Sequence, residues 1–368
     1  MDMISVKEAA EKWDMSSRRV TELCSTGRIG GAEHFGNAWA IPKDAAKPKD
    51  ARVRRDFSKD RWAKPIIKWA GGKSQLLQRI SESYPVGMGD TIDRYAEPFI
   101  GGAAVLLDVR STFDIDEVYI SDVNRELVTL YRIVRDEPEE LIELLSTYQR
   151  EHVSRDMDGR KEYFYSQRSL FNDIKSSSQD DPVACAALFV YLNKTCFNGL
   201  YRVNSKGEFN VPSGVYKNPM ICDADNLRAV SELLQGVRIE CADYRQSSYF
   251  IDENTFVYFD PPYRPLTQTA SFTSYTEGQF DDDDQRDLAR YVRELTARGA
   301  RVMVSSSDPH NTNPDDDFFD DLYEGMEIHR VEATRMINSD AKGRGKISEL
   351  LITNYHVIPT QRGLEYFS

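Results

Sequence analysis

Cysteine, histidine and long apolar runs are all scarce in this chain, and each scarcity removes a class of protein. The five cysteines (Cys24, Cys185, Cys196, Cys222 and Cys241) are scattered, with no Cys-x-x-Cys pair and no histidine cluster beside them. Neither a zinc site nor a disulfide framework is signalled, and the thiols are expected to be reduced and mostly buried. The five histidines are isolated, so none is assigned to catalysis. No segment approaches the roughly 20 apolar residues that span a bilayer. The opening MDMISVKEAAEKWD carries acids where a secretory signal needs a basic end and an apolar run. The cytosol is the expected location, with no membrane partner. Basic residues are outnumbered, 47 against 60 acidic ones, for a net charge of −13. That balance excludes a protein that coats nucleic acid indiscriminately, so any DNA binding must come from a local basic face. A length of 368 residues allows one large core plus a small appendage.

Residues 1–45 read as a miniature domain. Val6, Ala9, Ala10 and Trp13 recur at helical spacing after Ser5, a suitable N-cap. Ser16 opens a second helix containing Val20 and Leu23, Gly27 closes it, and GGAEHFGNAWAIP alternates like a hairpin or wing. The unit resembles the excisionase and MerR-like winged helix-turn-helix modules, whose second helix enters the major groove; Arg18, Arg19, Thr21 and Arg28 would then face DNA. A helical protein-interaction module with solvated arginines is the alternative. The stretch KDAAKPKDARVRRDFSKDRWAK (43–64) is rich in charge and poor in periodic apolar residues, which marks a linker, set at residues 46–63, whose basic excess suits a path near phosphates.

Beyond it, strand-like and helix-like segments alternate: RYAEPF, AAVLLDVRS, EVYISD, NRELVTLYRIVRD. This rhythm predicts an α/β parallel sheet with covering helices over residues 64–136. A long, mainly helical and polar stretch at 137–236 interrupts it, and sheet signals return over 237–368 at VRIECAD, TFVYFDPP and ARVMVSSSD. An inserted domain inside the sheet is the simplest account.

The residues that carry chemistry sit at strand ends. Asp260-Pro261-Pro262-Tyr263 follows the apolar run Thr255–Phe259, and a buried parallel strand ending in a proline-stiffened turn places its loop at the carboxyl edge, where open α/β sheets bind ligands. Adenine N6 is a poor nucleophile because its lone pair is delocalised into the ring. Asp260 and the carbonyl of Pro261 can accept its hydrogen bonds and draw it toward tetrahedral geometry, while Tyr263 offers a face to an extruded base. Related tetrapeptides also serve enzymes that methylate cytosine N4, protein glutamine or RNA. Upstream, Glu97-Pro98-Phe99-Ile100-Gly101-Gly102-Ala103 follows Arg94-Tyr95-Ala96, and its glycines allow close approach of a nucleoside cofactor. Asp122 ends the next strand-like run, where a carboxylate can accept both ribose hydroxyls or cap the helix that begins near Asn124. Asp243-Tyr244 ends a third run, a position suited to an acceptor for an adenine amino group. The acid run Asp281–Asp284 is expected to begin a helix, and Asp315–Asp317 to lie in an exposed loop.

Taken together, KWAGGKSQLL (68–77), EPFIGGAAVLLD (97–108), ISDVN (120–124), YLNKTCFNGLYRVNSKGEFNVP (191–212) and FDPPY (259–263) resemble, in content and order, the Dam family (D12 class) of DNA adenine methyltransferases, over residues 64–356. The resemblance implies S-adenosylmethionine as methyl donor with no metal, since the sulfonium methyl is already activated. It also implies a Rossmann-like methyltransferase sheet with the target-recognition domain inserted before the catalytic strand, and double-stranded DNA as partner. Carried over by position, Trp69, Lys73, Glu97, Phe99, Gly101, Asp122, Asp243, Tyr244 and Asp260 fall in cofactor-binding motifs, and Asp260, Pro261, Pro262 and Tyr263 in the catalytic one. Many members read Gly-x-Gly where this chain has Gly101-Gly102-Ala103.

Within the insert, Asn198–Arg202 and Asn204–Asn210 are expected to form two strands joined by a Ser-Lys-Gly turn. Arg202 could contact guanine N7 and O6 or hold a phosphate, and Leu200 and Pro212 supply apolar contact to a thymine methyl or a gap in the stack. Similar family members use the matching arginine, leucine and proline to read GATC. Lys68 either reads a base from the other side or neutralises a phosphate. The function expected is adenine-N6 methylation at GATC or a related site by base flipping, with a cognate restriction endonuclease as a partner such an enzyme can have. The rivals are a DNA-binding regulator with an inactive methyltransferase body, and an enzyme acting on RNA or protein glutamine.

Overall fold

The computed structural model of the chain describes residues 3–13, 17, 20–21, 24, 29–36, 38–45, 63–176, 181–264, 280–334 and 346–358. They fall in two compact units, Met1–Ala51 and Arg52–Ser368.

In the first unit, Ser5 and Glu8 cap each other reciprocally: Ser5 N–H donates to Glu8 Oε2 at 2.8 Å and Glu8 N–H to Ser5 Oγ at 3.3 Å. This starts helix α1 (Val6–Trp13), which buries Ala9, Ala10 and Trp13. Ser17, Val20, Thr21 and Cys24 are also helical, and Val20 and Cys24 join the same apolar cluster with Ile29 and Ile41. The expected hairpin is present as β2 (Glu33–Phe35) and β3 (Ala38–Pro42), antiparallel. A strand absent from the sequence reading, β1 (Met3–Ser5), adds to β3 and makes a three-stranded sheet in the order β1-β3-β2. Three residues are too few for alternation to announce it. Arg18, Arg19 and Arg28 lie outside the described residues.

The second unit is built on a seven-stranded sheet. Short helix α2 (Leu77–Glu82) precedes β4 (Arg94–Glu97), α3 (Ala104–Thr112), β5 (Glu117–Asp122) and α4 (Arg125–Asp136), in the alternation that the sequence predicts. Helices α5 (Pro138–Val153), α6 (Met157–Ser176), α7 (Pro182–Thr195) and α8 (Ala224–Leu234) occupy the interrupting stretch. The sheet resumes with β6 (Arg238–Cys241), β7 (Thr255–Phe259), α9 (Asp282–Ala297), β8 (Arg301–Ser307), α10 (Phe318–Leu322), β9 (Glu327–Thr334) and β10 (Lys346–Thr353). Strand order is β6-β5-β4-β7-β8-β10-β9, with β6, β5, β4, β7 and β8 parallel and β10 antiparallel to both neighbours.

Side-chain alternation divides the sheet between two cores. Tyr95, Val118, Ile120, Phe256, Tyr258 and Met303 point into one apolar cluster, shared with α3 to α8. Ala96, Tyr119, Val257, Phe259, Val302 and Val304 point into the other, with Leu288, Val292 and Leu295 of α9. The helices of the interrupting stretch thus share a core with the sheet. Five consecutive buried residues in β7 follow from its central place, covered on both faces. The chain runs outward from β4 through β5 and β6 on one side and from β7 to β8 on the other. The crevice beyond the carboxyl ends of β4 and β7 is therefore the topological switch point.

Local details correct two expectations. The recognition hairpin is a single antiparallel bridge, Val203↔Phe209, closed by a turn at Asn204–Gly207, and not a pair of strands. Its proposed first strand starts instead as a short 3-10 turn, Phe197–Gly199, because Asn198 (φ 58°) and Gly199 (φ 67°) are left-handed and cannot continue a strand. The cap of α4 is Asn124, whose side chain accepts from Leu127 N–H, while Asp122 accepts from the N–H of Asn124 itself. The acid run behaves as expected: Asp281 caps α9 in a capping box with Asp284. Among the described residues no helix is long and apolar enough to cross a membrane.

Candidate active site

The loop after β7 places Asp260 at the switch point with one oxygen already filled. Its Oδ1 receives Lys73 Nζ at 2.6 Å and Ser305 Oγ at 2.9 Å, and Tyr258 O–H donates to Ser305 Oγ at 3.0 Å. Among the described residues no donor is recorded on Oδ2. Lys73, only 4% exposed, is steered by the carbonyl of Gly71 (2.7 Å) and lies 4.6 Å from the Tyr263 ring centroid. The turn is pinned from three sides. Gln285 Nε2 of α9 donates to the Pro262 carbonyl at 3.2 Å, and Tyr263 O–H to Glu349 Oε2 of β10 at 2.6 Å. Arg264 grips Asp282 with two nitrogens (2.7 and 3.1 Å) and Asp316 with a third (2.8 Å). Burial and the nearby carboxylates push the Tyr263 hydroxyl well above the usual tyrosine range, so it remains a donor.

Beside it, the loop after β4 approaches Trp69. Gly101 has φ +45°, and a Cβ there would stand 3.0 Å from Trp69 Cδ1, so only glycine lets this loop lie against the indole. Ala103 adopts φ 61° despite its side chain. Asp122, at the end of β5, accepts Gly101 N–H at 3.3 Å and Asn124 N–H at 2.9 Å. Burial pushes its carboxyl up to about 6 against the opposing pull of those backbone donors. Glu97 is 2% exposed; burial pushes it up to about 8, although Tyr95 O–H and Leu106 N–H donate to it, with the charge of Asp260 a further upward cause. Phe99 stacks on Tyr244 (centroids 5.4 Å, 29°), and Phe280 stands edge-on to both. Asp243 caps the short turn Tyr244–Tyr249 and meets Arg245, which also holds Asp287.

This set fits a nucleoside cofactor. It offers a carboxylate held by backbone N–H groups at a strand end, a glycine cradle that a Cβ would fill, and paired aromatic rings. The Tyr244 hydroxyl is buried without a hydrogen-bond partner among the described residues.

The third part draws together positions far apart in sequence. The Asn193 side chain, 2% exposed, accepts Lys68 N–H at 2.9 Å and donates to the carbonyls of Lys68 (2.8 Å) and Gly199 (2.9 Å). Lys68 therefore lies along Gly199, where a Cβ would come 2.6 Å from Lys68 Cδ, and its ammonium sits 5.6 Å from the Tyr216 ring. Arg202 is exposed and braced by Nε donation to Asn210 Oδ1 at 2.7 Å. The Asn172 amide of α6 clamps Phe209 through both backbone groups (2.8 and 3.1 Å), so the bridge is tied to a helix as well as by its own two ladder bonds, Asn204 N–H to the Glu208 carbonyl and Asn210 N–H to the Arg202 carbonyl. Asn198 and Pro212 are exposed, whereas Leu200 is half-buried against the core. Phe197, 52% exposed and not singled out in the sequence, is the apolar side chain that projects here. Tyr201 stacks on Trp69 at 5.7 Å, so one indole touches both this segment and the Gly101 loop. Gln285 and Arg264 were also missed, because nothing local in sequence links them to Asp260.

Elsewhere among the described residues, His310, Asp317 and Asp320 bring ligand-type atoms within 4.8 Å of one another. Arg330 already pairs with Asp320 at 2.7 Å, which makes this group an ion-pair network.

A family model for D12 class N6 adenine-specific DNA methyltransferases matches residues 69–337. The chain is 49% identical over 294 residues, 79% of its length and 99% of the relative, to the Type II methyltransferase M.MjaIII of Methanocaldococcus jannaschii. It is 39% identical over 294 residues (79% of the chain, 95% of the relative) to the Type II methyltransferase M1.LlaDCHI of Lactococcus lactis. It is also 34% identical over 290 residues to the DNA adenine methylase of Escherichia coli (78% of the chain, 93% of the relative).

Proposed function

The chain belongs to the D12 class of N6 adenine-specific DNA methyltransferases, and from that premise we propose that it methylates adenine in double-stranded DNA at GATC or a related site, using S-adenosylmethionine and an extruded base. The observation that carries this reading is Asp260, with Oδ1 saturated by Lys73 and Ser305 and Oδ2 left to receive a donor at the switch point.

When bound, S-adenosylmethionine supplies an electrophilic sulfonium methyl. Asp122 would accept its ribose hydroxyls, Gly101 and Trp69 would line the close approach, and the mutually stacked Phe99 and Tyr244 would offer an apolar wall to its base, with Asp243 as acceptor for the amino group. Asp260 Oδ2 and the Pro261 carbonyl take the two N6–H hydrogen bonds of the target. This concentrates the nitrogen lone pair and turns it toward the methyl, an interaction that strengthens as positive charge develops on N6. Tyr263, with its hydroxyl pinned by Glu349, stacks on the extruded base. Arg202, braced by Asn210, reads a guanine edge, and Lys68 a second base or phosphate from the opposite side. Phe197 is placed to fill the gap an extruded base leaves, with Asn198, Leu200 and Pro212 around it.

The stretch 137–236 acts as the recognition region of this catalytic unit. Residues 1–45 act as a winged helix-turn-helix contacting DNA through Arg18 and Arg19, supported by the capped α1 and the three-stranded sheet. Two relatives bear Type II methyltransferase names; by that likeness the enzyme works in the cytosol with a cognate restriction endonuclease.

Sequencing DNA from cells that express the protein, with N6-methyladenine detected in context, tests the reading. Methylation at GATC or one related site, lost in Asp260→Asn, is expected. Modification of cytosine N4, or of RNA in preference to matched DNA duplexes, would refute it.

A further inference from the structure

We propose that Ser305, set by Tyr258, is the positioning residue that fixes the plane of the Asp260 carboxylate, so that the oxygen left unoccupied faces the target amine. The inference rests on the catalytic reading of Asp260 and concerns how its geometry is held.

A carboxylate oxygen has two in-plane lone pairs. On Asp260 Oδ1, one is taken by Lys73 Nζ and the other by Ser305 Oγ. Lys73 alone cannot fix the side chain, because an ammonium is a rotatable point charge that either carboxylate oxygen satisfies. It holds the charge in place but leaves the carboxylate free to turn about Cβ–Cγ. Ser305 removes that freedom. It is fully buried on β8, the strand paired with β7, so its hydroxyl approaches from a fixed direction. A serine has one proton to give, and the Phe259 carbonyl at 3.4 Å competes for it. The Tyr258 hydroxyl settles the choice. It is fully buried, donates to Ser305 Oγ at 3.0 Å, and has no other recorded partner among the described residues. By filling a lone pair of Ser305, it turns the serine proton toward Asp260 at 2.9 Å. Two buried hydroxyls, one on β7 and one on β8, thus form a one-way donor chain, Tyr258 to Ser305 to Asp260, that ends on Oδ1 and leaves Oδ2 presented to the substrate.

The test is single-turnover and steady-state methylation of one duplex by the full chain, with S-adenosylhomocysteine affinity measured alongside. Ser305→Ala is expected to lower kcat by about ten- to a hundredfold, the scale of one hydrogen bond to a charged group. The KM for DNA and the affinity for S-adenosylhomocysteine should stay within about twofold, because no ground-state contact is lost. Ser305→Thr, which keeps the hydroxyl, should recover most of the rate. Tyr258→Phe should lose less than Ser305→Ala, and the double variant should match Ser305→Ala alone, since Tyr258 reaches Asp260 only through the serine. A Ser305→Ala enzyme with kcat within twofold of the parent overturns the proposal, as do additive losses in the double variant. A loss that appears in cofactor affinity instead of kcat overturns it too. Retained turnover in Asp260→Asn would overturn the catalytic reading itself. An inert Asp260→Asn beside an unimpaired Ser305→Ala would overturn only the positioning role.

Discussion

Replacing Glu97 with glutamine should remove a pH dependence from the stability of the catalytic unit. Glu97 is 2% exposed and its carboxyl is pushed up from 4.5 to about 8, burial being the largest cause and the charge of Asp260 another. Between those two values the folded protein keeps a proton that the unfolded chain releases. The group's contribution is therefore fully present below about pH 4.5 and is lost as pH rises toward 8. Linkage makes that loss about 1.4 kcal/mol per pH unit, on the order of 4–5 kcal/mol across the window if the surroundings do not relax. Glutamine has no proton to lose, and its amide oxygen can still accept Tyr95 O–H, which now donates at 2.7 Å. The variant's stability relative to the parent should thus climb with pH and level off above 8. Urea unfolding followed by tryptophan fluorescence, at half-unit steps from about pH 5 to 8.5 for both proteins, measures it. Asp122, also pushed up, to about 6, is common to both and cancels in the difference. Parallel stability curves would show that Glu97 is not a protonated residue of the folded state. The neutral acid has a functional consequence, because it keeps a second negative charge away from Asp260.

Two further substitutions probe the other parts of the site. Gly101→Ala forces a side chain into a left-handed backbone and against Trp69 Cδ1 at 3.0 Å. The backbone alone costs about 1–2 kcal/mol; with the variant loop relaxed in the free protein and forced back into this shape on binding, calorimetry should find S-adenosylhomocysteine binding roughly five- to thirtyfold weaker, and unaltered affinity would remove this loop from the cofactor pocket. Arg202→Ala should cost about 1–3 kcal/mol on the preferred site and less on a site altered at the base it reads. Measured as kcat/KM over duplexes with single base changes at two salt concentrations, a uniform loss with a shallower salt slope would instead assign Arg202 to a phosphate.

What the sequence determined by itself was whatever depends on neighbours along the chain. The alternation from Arg94 to Asp136 announced β4, α3, β5 and α4, the apolar run Thr255–Phe259 announced the central strand, and Asp281–Asp284 announced a helix start. The long contiguous motifs carried the family, since their content and order need no knowledge of contacts. Tertiary structure decided the rest. That Lys73 and Ser305 meet on one oxygen of Asp260 depends on β8 lying beside β7 and on where the Gly71 turn packs. Lys68 reaches Gly199 only because Asn193 ties both backbones. The hairpin shrank to one bridge because Asn198 and Gly199 are left-handed, and Asn172 of α6 satisfies the outward backbone groups of Phe209, a partner that no β-pattern encodes. Leu200 turned toward the core and Phe197 outward through two left-handed residues between them. The physical reason is common to all of these. Periodicity tells which face of an element is apolar, but which polar groups meet across elements is set by strand order and packing, where the cost of burying an unpaired donor or acceptor selects the partner.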